Sequence, residues 1–336
     1  MGTKPAAAAS GASRLSRQET REPHEAALIA EMTDILRRKM DRDYPRGATR
    51  RDAHPKTVGL VRGTFEIEPR LPAALRVGVF AKPRTFECWV RASNSSGRIQ
   101  SDAIKDARGL AIQLLAPPTK RARTDVAFGQ DFVLLSAPVM PLGTIALFRD
   151  AVYYAIESSP VLLLAKLLIA GRIDVLLGLL ALRIKPTSPL DIRYWSTTPY
   201  LLGRSRAVKY SLLPTSAHRS RLPANPGASY LSDAMQSHLR QHAATFDFCM
   251  QLRADGMPIE DAGERWDEAA SPFVKVATLR IPVQKFRTKA RQALAEALSF
   301  SPGHALAAHA PIGGLNRARV AIYAALSGFR HERDGR

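Results

Sequence analysis

In VGLVRGTFEIE, residues 58–68, apolar and polar side chains alternate. Alternation of this kind has the period of a β-strand with one face in a core. Further short runs that are typical of strands, between glycine, proline and charged breaks, lie at 76–82, 86–93, 110–116, 131–138, 206–214, 245–255 and 274–282. Their spacing along the chain predicts an antiparallel β-barrel.

Helical patterns lie on either side of these strands. Apolar residues recur at helical spacing from Glu25 to Met40, and a second helical stretch follows Gly313 and Gly314 near the end of the chain. Residues 1–22 are rich in Ala, Ser and Gly, which predicts a disordered tail. We therefore expect an α+β fold, in which a single domain over 23–336 combines an antiparallel β-barrel with peripheral α-helices.

Residues 160–182 form a very apolar segment that three charged residues interrupt. Lys166, Arg172 and Asp174 would each cost about 2.5–3.5 kcal/mol at the centre of a bilayer, so the segment should not span one. Two short helices that meet at Gly171 fit the pattern better. Two interpretations of these helices stay open: they cover the barrel, or they contact a membrane or a lipidic substrate.

The composition adds limits on partners and compartment. The chain has 49 Lys and Arg against 30 Asp and Glu, a net charge of +19. Such a charge suits an anionic partner or a merely soluble surface, and because no run of five like charges occurs, we predict no nucleic-acid partner. Cys88 and Cys249 form no CxxC pair, which argues against a zinc knuckle. The first 22 residues have no apolar core of a secretory signal, so a cytoplasmic location is expected.

The C-terminal helix carries the most informative pattern. Arg319, Tyr323, Leu326 and Arg330 are spaced at i, i+4, i+7 and i+11, which places them on one stripe. A guanidinium one turn from a phenol favours the ionised phenolate. A phenolate is one of the few side chains that serve as axial ligand of haem iron. Taken alone, the stripe also fits a surface helix with a half-buried tyrosine.

Three motifs occur in an order that resembles the catalase family. They are RRDAHPKTVGLVRGTFEIE at 50–68, the pair WVRASNS at 89–95 and DARGLAIQLL at 106–115, and the R-x-x-x-Y of the last helix. The stretches YWSTTPYLLGRSRAVKYS and FDFCMQLRADG are similar to those of small catalase-related haem proteins, which have the core barrel without the C-terminal helical domain. The resemblance extends over roughly residues 24–334.

The resemblance implies a haem b cofactor, and it implies a role for each of eight residues. Tyr323 corresponds to the proximal iron ligand, and Arg319 to its guanidinium partner. His54 corresponds to the distal catalytic histidine, and Ser93 to the serine that orients it. The remaining four are Phe148, which would lie against the haem face, and Arg51, Arg91 and Arg330, which would bind the haem propionates through charge-assisted hydrogen bonds.

Departures from the family pattern bear on the activity. Leu135 occupies the position of the distal asparagine, and Met140 and Pro141 replace a pair of phenylalanines. The resemblance therefore implies a peroxidase that uses hydrogen peroxide or organic hydroperoxides and a small-molecule reductant, with weak or no catalase activity. It also implies a homo-oligomer.

Two other functions stay open. One is a fatty-acid hydroperoxide isomerase, similar to catalase-like allene oxide synthases. The other is a non-enzymatic protein, either one that binds haem or a basic module that binds a membrane or nucleic acid.

Overall fold

The computed structural model describes residues 19–116 and 127–335. Nine β-strands form one sheet within these residues. They are β1 (Thr57–Ile67), β2 (Thr85–Asn94), β3 (Arg108–Leu115), β4 (Ala127–Leu135), β5 (Tyr194–Trp195), β6 (Tyr200–Leu202), β7 (Arg206–Pro214), β8 (Ala244–Leu252) and β9 (Val274–Ile281).

The sheet closes through its shortest strand. β5 pairs with both β4 and β7, so that eight strands form a closed ring in the order β5-β4-β3-β2-β1-β9-β8-β7. The ninth strand, β6, pairs with β7 beside the ring. Every pairing is antiparallel. The antiparallel β-barrel predicted from the sequence is therefore confirmed.

Aromatic rings fill the barrel interior. Phe65, Phe80, Phe132, Tyr210 and Phe248 are almost fully buried, and their ring centroids lie 4.7–6.3 Å apart. Offset and edge-on contacts at these distances stabilise a core beyond the burial of apolar area alone. These rings therefore form a packed core in the barrel interior.

The prediction of a strand at 76–82 is wrong. The chain forms two 3₁₀ turns there, Ala73–Leu75 and Gly78–Phe80. Gly78 has a φ of +55°, and a Cβ at this position would overlap the ring of His309. The Val79 N–H donates to His309 Nε2 at 3.1 Å, a bond that takes the place of a strand pairing.

Seven helices surround the barrel in the described ranges. They are α1 (Glu25–Asp43), α2 (Ile145–Ile156), α3 (Pro160–Ile169), α4 (Ile173–Ala181), α5 (Tyr230–Gln241), α6 (Lys289–Ala297) and α7 (Gly314–Asp334). The first, second and last of these pack together around a shared apolar cluster. As the sequence predicts, α3 and α4 meet at Gly171, which has a φ of +67°. None of the described helices is long and apolar enough to cross a membrane.

The segment just before α1 supplies a carboxylate that caps the N-terminus of α2. Glu22 accepts hydrogen bonds from the backbone N–H groups of Ile145 and Ala146, at 2.8 and 3.1 Å, where α2 begins. A carboxylate at a helix N-terminus is favoured by the helix dipole. Of the tail predicted over residues 1–22, residues 1–18 lie outside the described residues, and residues 19–22 are described.

Candidate functional site

The eight residues that the sequence singles out all line one cavity. It has a volume of about 350 Å³ and lies between the barrel strands β2–β4 and the helices α1, α2 and α7. Residues up to 279 positions apart in the chain, Arg51 and Arg330, therefore meet at one place. The eight are Arg51, His54, Arg91, Ser93, Phe148, Arg319, Tyr323 and Arg330.

His54 is held in one orientation by its neighbours. Its backbone has a φ of +58°, an uncommon conformation for a residue with a side chain. The carbonyl of His54 accepts a hydrogen bond from Arg91 Nη2 at 2.7 Å. Its ring Nδ1 lies 3.0 Å from Ser93 Oγ, on the neighbouring strand β2. Together these contacts fix both the backbone and the ring at the cavity wall.

Gly109 is a site residue that the sequence reasoning missed. A Cβ at this position in β3 would lie 2.6 Å from His54 Cε1, 2.7 Å from His54 Nδ1 and 2.9 Å from Ser93 Oγ. Only glycine leaves room for the histidine ring against the strand. The sequence signal for it is the glycine in the DARGLAIQLL motif at 106–115.

The environment of His54 keeps its ring neutral. Burial, and next the cationic guanidinium groups of Arg91 and Arg319, lower the pKa of His54 to about 3. A neutral imidazole has one nitrogen that can accept a proton and one that donates. At neutral pH the ring can therefore act as a base.

Tyr323 and Arg319 lie one turn apart on α7, as the stripe predicts. The Arg319 guanidinium carbon is 5.8 Å from the centroid of the Tyr323 ring. Arg319 Nη1 also donates to Thr198 Oγ1 at 3.0 Å and to Asn316 Oδ1 at 3.1 Å. Burial acts to lower the pKa of Arg319, but the phenols of Tyr200 and Tyr323 outweigh it, so that the pKa is raised.

Thr198 and Asn316 were also missed by the sequence reasoning. Both are buried, and Thr198 Oγ1 donates to Asn316 Oδ1 at 2.9 Å. Because both side chains accept a hydrogen bond from Arg319 Nη1, the pair fixes the orientation of the Arg319 guanidinium. Thr198 lies inside the stretch YWSTTPYLLGRSRAVKYS, and Asn316 lies three residues before the R-x-x-x-Y pattern of the last helix, but a sequence pattern does not show that they touch.

Three further arginines border the cavity. Arg51 donates to the carbonyls of Ala295 (2.7 Å) and Leu298, just where α6 ends, and lies 3.4 Å from a carboxylate oxygen of Glu296. Arg330 donates to the Glu296 carbonyl at 2.8 Å. Arg91 donates to Thr57 Oγ1 at 2.8 Å, and burial lowers its pKa to about 10.

The charge balance of this wall fits an anionic ligand. Arg51, Arg91, Arg319 and Arg330 face the cavity against one carboxylate, that of Asp52, which pairs with Lys39 at 2.9 Å. Neither Arg91 nor Arg319 has an ion pair with a carboxylate among the described residues. Buried cations are costly without an anionic partner. A ligand with carboxylate groups would supply that partner, so the residues present fit a propionate-bearing haem.

The remaining predicted positions lie where the cavity becomes apolar. Phe148, on α2, borders the cavity beside Val152. Leu135 is the last residue of β4 and pairs with Gly109 and Trp195 in the sheet. It places an aliphatic side chain on the cavity wall, at the position where the resemblance would require an amide.

The comparisons with known proteins support a catalase-like fold. A fungal catalase superimposes with a TM-score of 0.68 at 14% identity, over 87% of this chain and 61% of that one. Catalase A from Saccharomyces cerevisiae gives a TM-score of 0.67 at 14% identity, over 87% and 63%. A bacterial catalase gives a TM-score of 0.64 at 14% identity, over 98% and 64%.

The chain spans about three fifths of the length of these catalases. No family model matches the sequence, and no curated protein matches it. The predicted fold is thus confirmed: the protein is an α+β protein with a catalase-like barrel. The roles of its cavity residues stay predictions.

Proposed function

We propose that the protein is a haem-dependent enzyme that activates peroxides and acts as a peroxidase with weak or no catalase activity. The observation that carries this proposal is the convergence of His54, Ser93, Arg319 and Tyr323 on one arginine-lined cavity. The catalase-like fold supports peroxide chemistry in general. The cavity supports the narrower assignment.

The described residues divide the binding of haem between them. The Tyr323 side-chain oxygen would hold the iron, and the Arg319 guanidinium would lie beside the Tyr323 ring, one helical turn away. Arg51, Arg91 and Arg330 would bind the carboxylates of the macrocycle. Phe148 would contact its face. When bound, haem iron supplies the redox chemistry that breaks an O–O bond.

His54 supplies the proton transfer. Because its pKa is lowered to about 3, the ring is neutral at physiological pH and can take the proton from the terminal O–H of a hydroperoxide. The same ring then returns that proton to the other oxygen of the O–O bond, which leaves as an alcohol, or as water when the substrate is hydrogen peroxide. The bond between Ser93 Oγ and Nδ1 fixes the ring, so that Nε2 is the nitrogen that would exchange the proton.

Leu135 favours a peroxidase over a catalase. Its aliphatic side chain has no group that can donate a hydrogen bond to a second peroxide molecule. The second, dismutating half of a catalase cycle would therefore be slow, and a small-molecule reductant would complete the turnover instead.

A fatty-acid hydroperoxide isomerase is the second candidate. The observation in its favour is the apolar part of the cavity wall, to which Leu134, Met140, Val152 and Leu182 contribute. An alkyl chain would be well accommodated by such a wall. The two candidates are distinguished by their products: the isomerase rearranges its hydroperoxide without consuming a reductant.

The absorption spectrum of protein expressed with a haem precursor tests the proposal. We expect a ferric Soret band that Tyr323→Phe abolishes or shifts, whereas Tyr153→Phe, a matched change on α2 away from the cavity, leaves it unaltered. We expect His54→Ala to keep haem and to slow the reaction with an alkyl hydroperoxide by at least about 100-fold.

Two results would contradict the proposal. Folded protein without a Soret band, despite a supply of haem, would show that the α7 stripe is structural. An unchanged rate in His54→Ala would remove the acid–base role and leave a haem-binding protein without this chemistry.

We also propose that residues 23–336 form one domain and that the chain assembles as a homo-oligomer. Limited proteolysis and light scattering of the full chain would test these two statements. A stable fragment that ends inside the barrel would contradict the first, and a monomeric mass the second.

A further inference from the structure

The hairpin formed by α3 and α4, residues 160–181, presents an apolar face that no other described residue covers. Its inner side packs through Leu163, Leu167 and Val175 against Leu142. Its outer side carries eight exposed aliphatic residues, and Ile169, next to the turn, is 88% exposed. The eight are Val161, Leu162, Leu164, Leu168, Ile169, Ile173, Leu177 and Leu180.

Exposed apolar residues in this number and this proximity are unusual for a soluble surface. Scattered single residues are common, but contiguous apolar patches mark sites of interaction with proteins or membranes. The turn at Gly171 places the exposed side chains of Ile169 and Ile173 at the tip, beside the ion pair of Arg172 with Asp174.

The charges on the hairpin cancel locally, whereas those at its base do not. Lys166 pairs with Asp150 at 2.6 Å, and Arg172 pairs with Asp174 at 2.8 Å. Just beyond α4, Arg183 and Lys185 are exposed, and Arg183 Nε donates to the carbonyl of Lys105, which is also exposed. Within the described ranges, none of Lys105, Arg183 and Lys185 has an ion pair with a carboxylate.

We propose that the 160–181 hairpin docks on the surface of an anionic lipid bilayer. Its aliphatic face would enter the boundary between headgroups and acyl chains, roughly 5–10 Å deep. The cations at its base would lie at the level of the lipid phosphates, whose negative surface potential attracts them. Each of the two helices, of 10 and 9 residues, is too short to span the bilayer. Lys166 is paired with Asp150 of α2, and Arg172 is paired with Asp174 beside it.

A second copy of this chain fits the face less well. Protein interfaces are enriched in aromatic residues, Met and Arg, whereas this face is aliphatic throughout. A symmetric contact through the hairpin would also bring Lys105, Arg183 and Lys185 of both copies close together, with like charges opposed. An anionic bilayer offers acyl chains to the apolar face and phosphate groups to the cations.

Docking would place the cavity beside the lipid. Gly178 of α4 packs so closely on Pro141 that a Cβ there would lie 2.9 Å from the proline ring. Leu182, the residue after α4, lines the cavity together with Met140. The docking itself does not rest on the haem function and can be tested without it.

Flotation of the full chain with vesicles tests the proposal. We expect binding to vesicles of phosphatidylcholine with phosphatidylglycerol, and weaker binding to phosphatidylcholine alone or at high salt. Ile169→Glu with Ile173→Glu should weaken binding by at least about tenfold, since two aliphatic side chains that the lipid would bury are lost. Leu222→Glu with Val283→Glu is the matched control, because it adds the same charge at exposed aliphatic positions elsewhere and should leave binding almost unchanged.

A direct probe of depth completes the experiment. In Ile169→Trp the indole emission should shift to the blue on addition of the anionic vesicles, and brominated acyl chains should quench it; in Val283→Trp neither should happen. No flotation of the unmodified chain, or equal binding by both glutamate variants, would overturn the proposal. A third result would also overturn it: an unmodified chain that is dimeric and binds no vesicles, and that Ile169→Glu with Ile173→Glu converts to a monomer. That result would assign the face to a second copy of the chain.

Discussion

Substitution of Gly109 by alanine tests whether the missing side chain at position 109 holds the ring of His54 in place. Gly109 lies in β3, paired with Ser93 of β2 on one side and with Leu135 of β4 on the other. Because two strands hold its backbone, the strand cannot move away from an added methyl group. The ring of His54 must move instead.

The size of the effect follows from the distances. A Cβ at Gly109 would lie 2.6 Å from His54 Cε1, about 0.8 Å closer than the 3.4 Å at which ordinary contact begins. Moving the ring away by that amount would lengthen the 3.0 Å bond between His54 Nδ1 and Ser93 Oγ beyond hydrogen-bond range. The lost bond costs about 1 kcal/mol and the overpacking about 1–3 kcal/mol, so we expect about 2–4 kcal/mol in all.

Urea unfolding of the full chain, followed by tryptophan fluorescence, measures this loss of stability. The decisive comparison is the same substitution made in a His54→Ala background, where the ring atoms that an alanine at position 109 would meet are gone. We expect most of the cost of Gly109→Ala to vanish there, which gives a coupling free energy of about 1–3 kcal/mol. An equal cost in both backgrounds would refute the steric argument.

Three further predictions concern stability. Burial lowers the pKa of His309 to about 4, so between pH 6.5 and 4 the unfolded chain binds a proton at this residue that the folded chain does not. This difference should lower the free energy of unfolding by about 3 kcal/mol as the pH drops across that range. Urea midpoints measured against pH should therefore show a smaller slope in His309→Gln. Lys39→Met leaves the buried carboxylate of Asp52 uncompensated and should cost about 3–5 kcal/mol, much of it recovered by adding Asp52→Asn; no recovery would count against the buried pair. Arg317→Ala, which removes the ion pairs to Glu19, Glu25 and Glu260, should cost about 1–3 kcal/mol and less at high salt, and a salt-independent loss would point to packing instead.

Much of the candidate site could be read from local patterns. The spacing of Arg319 and Tyr323 fixes their relation on any α-helix, so their proximity needed no tertiary information. His54, Ser93 and Arg91 were identified through a resemblance of motifs, and the structure brings them to the cavity that Tyr323 lines. That convergence is a property of the barrel, which no single motif contains.

Other site residues could not be found in this way. Thr198 and Asn316 lie 118 positions apart, and their hydrogen bond becomes visible only when β5, β6 and α7 are packed together. Gly109 looks like any strand glycine until the ring of His54 is placed against it. Local periodicity carries no information about such contacts, because it reports only which face of an element is apolar.

Local periods of two and 3.6 residues were sufficient to predict most of the long strands, the helix pair at Gly171 and the stripe on the last helix. Other features depend on contacts between elements that are distant in the chain. The tertiary structure turned 76–82 into 3₁₀ turns, since Val79 bonds to His309 and not to a neighbouring strand. It closed the barrel through the two residues of β5, a strand too short to leave a periodic signal. It also left the outer face of α3 and α4 uncovered, because burial depends on which elements meet and not on how apolar each one is.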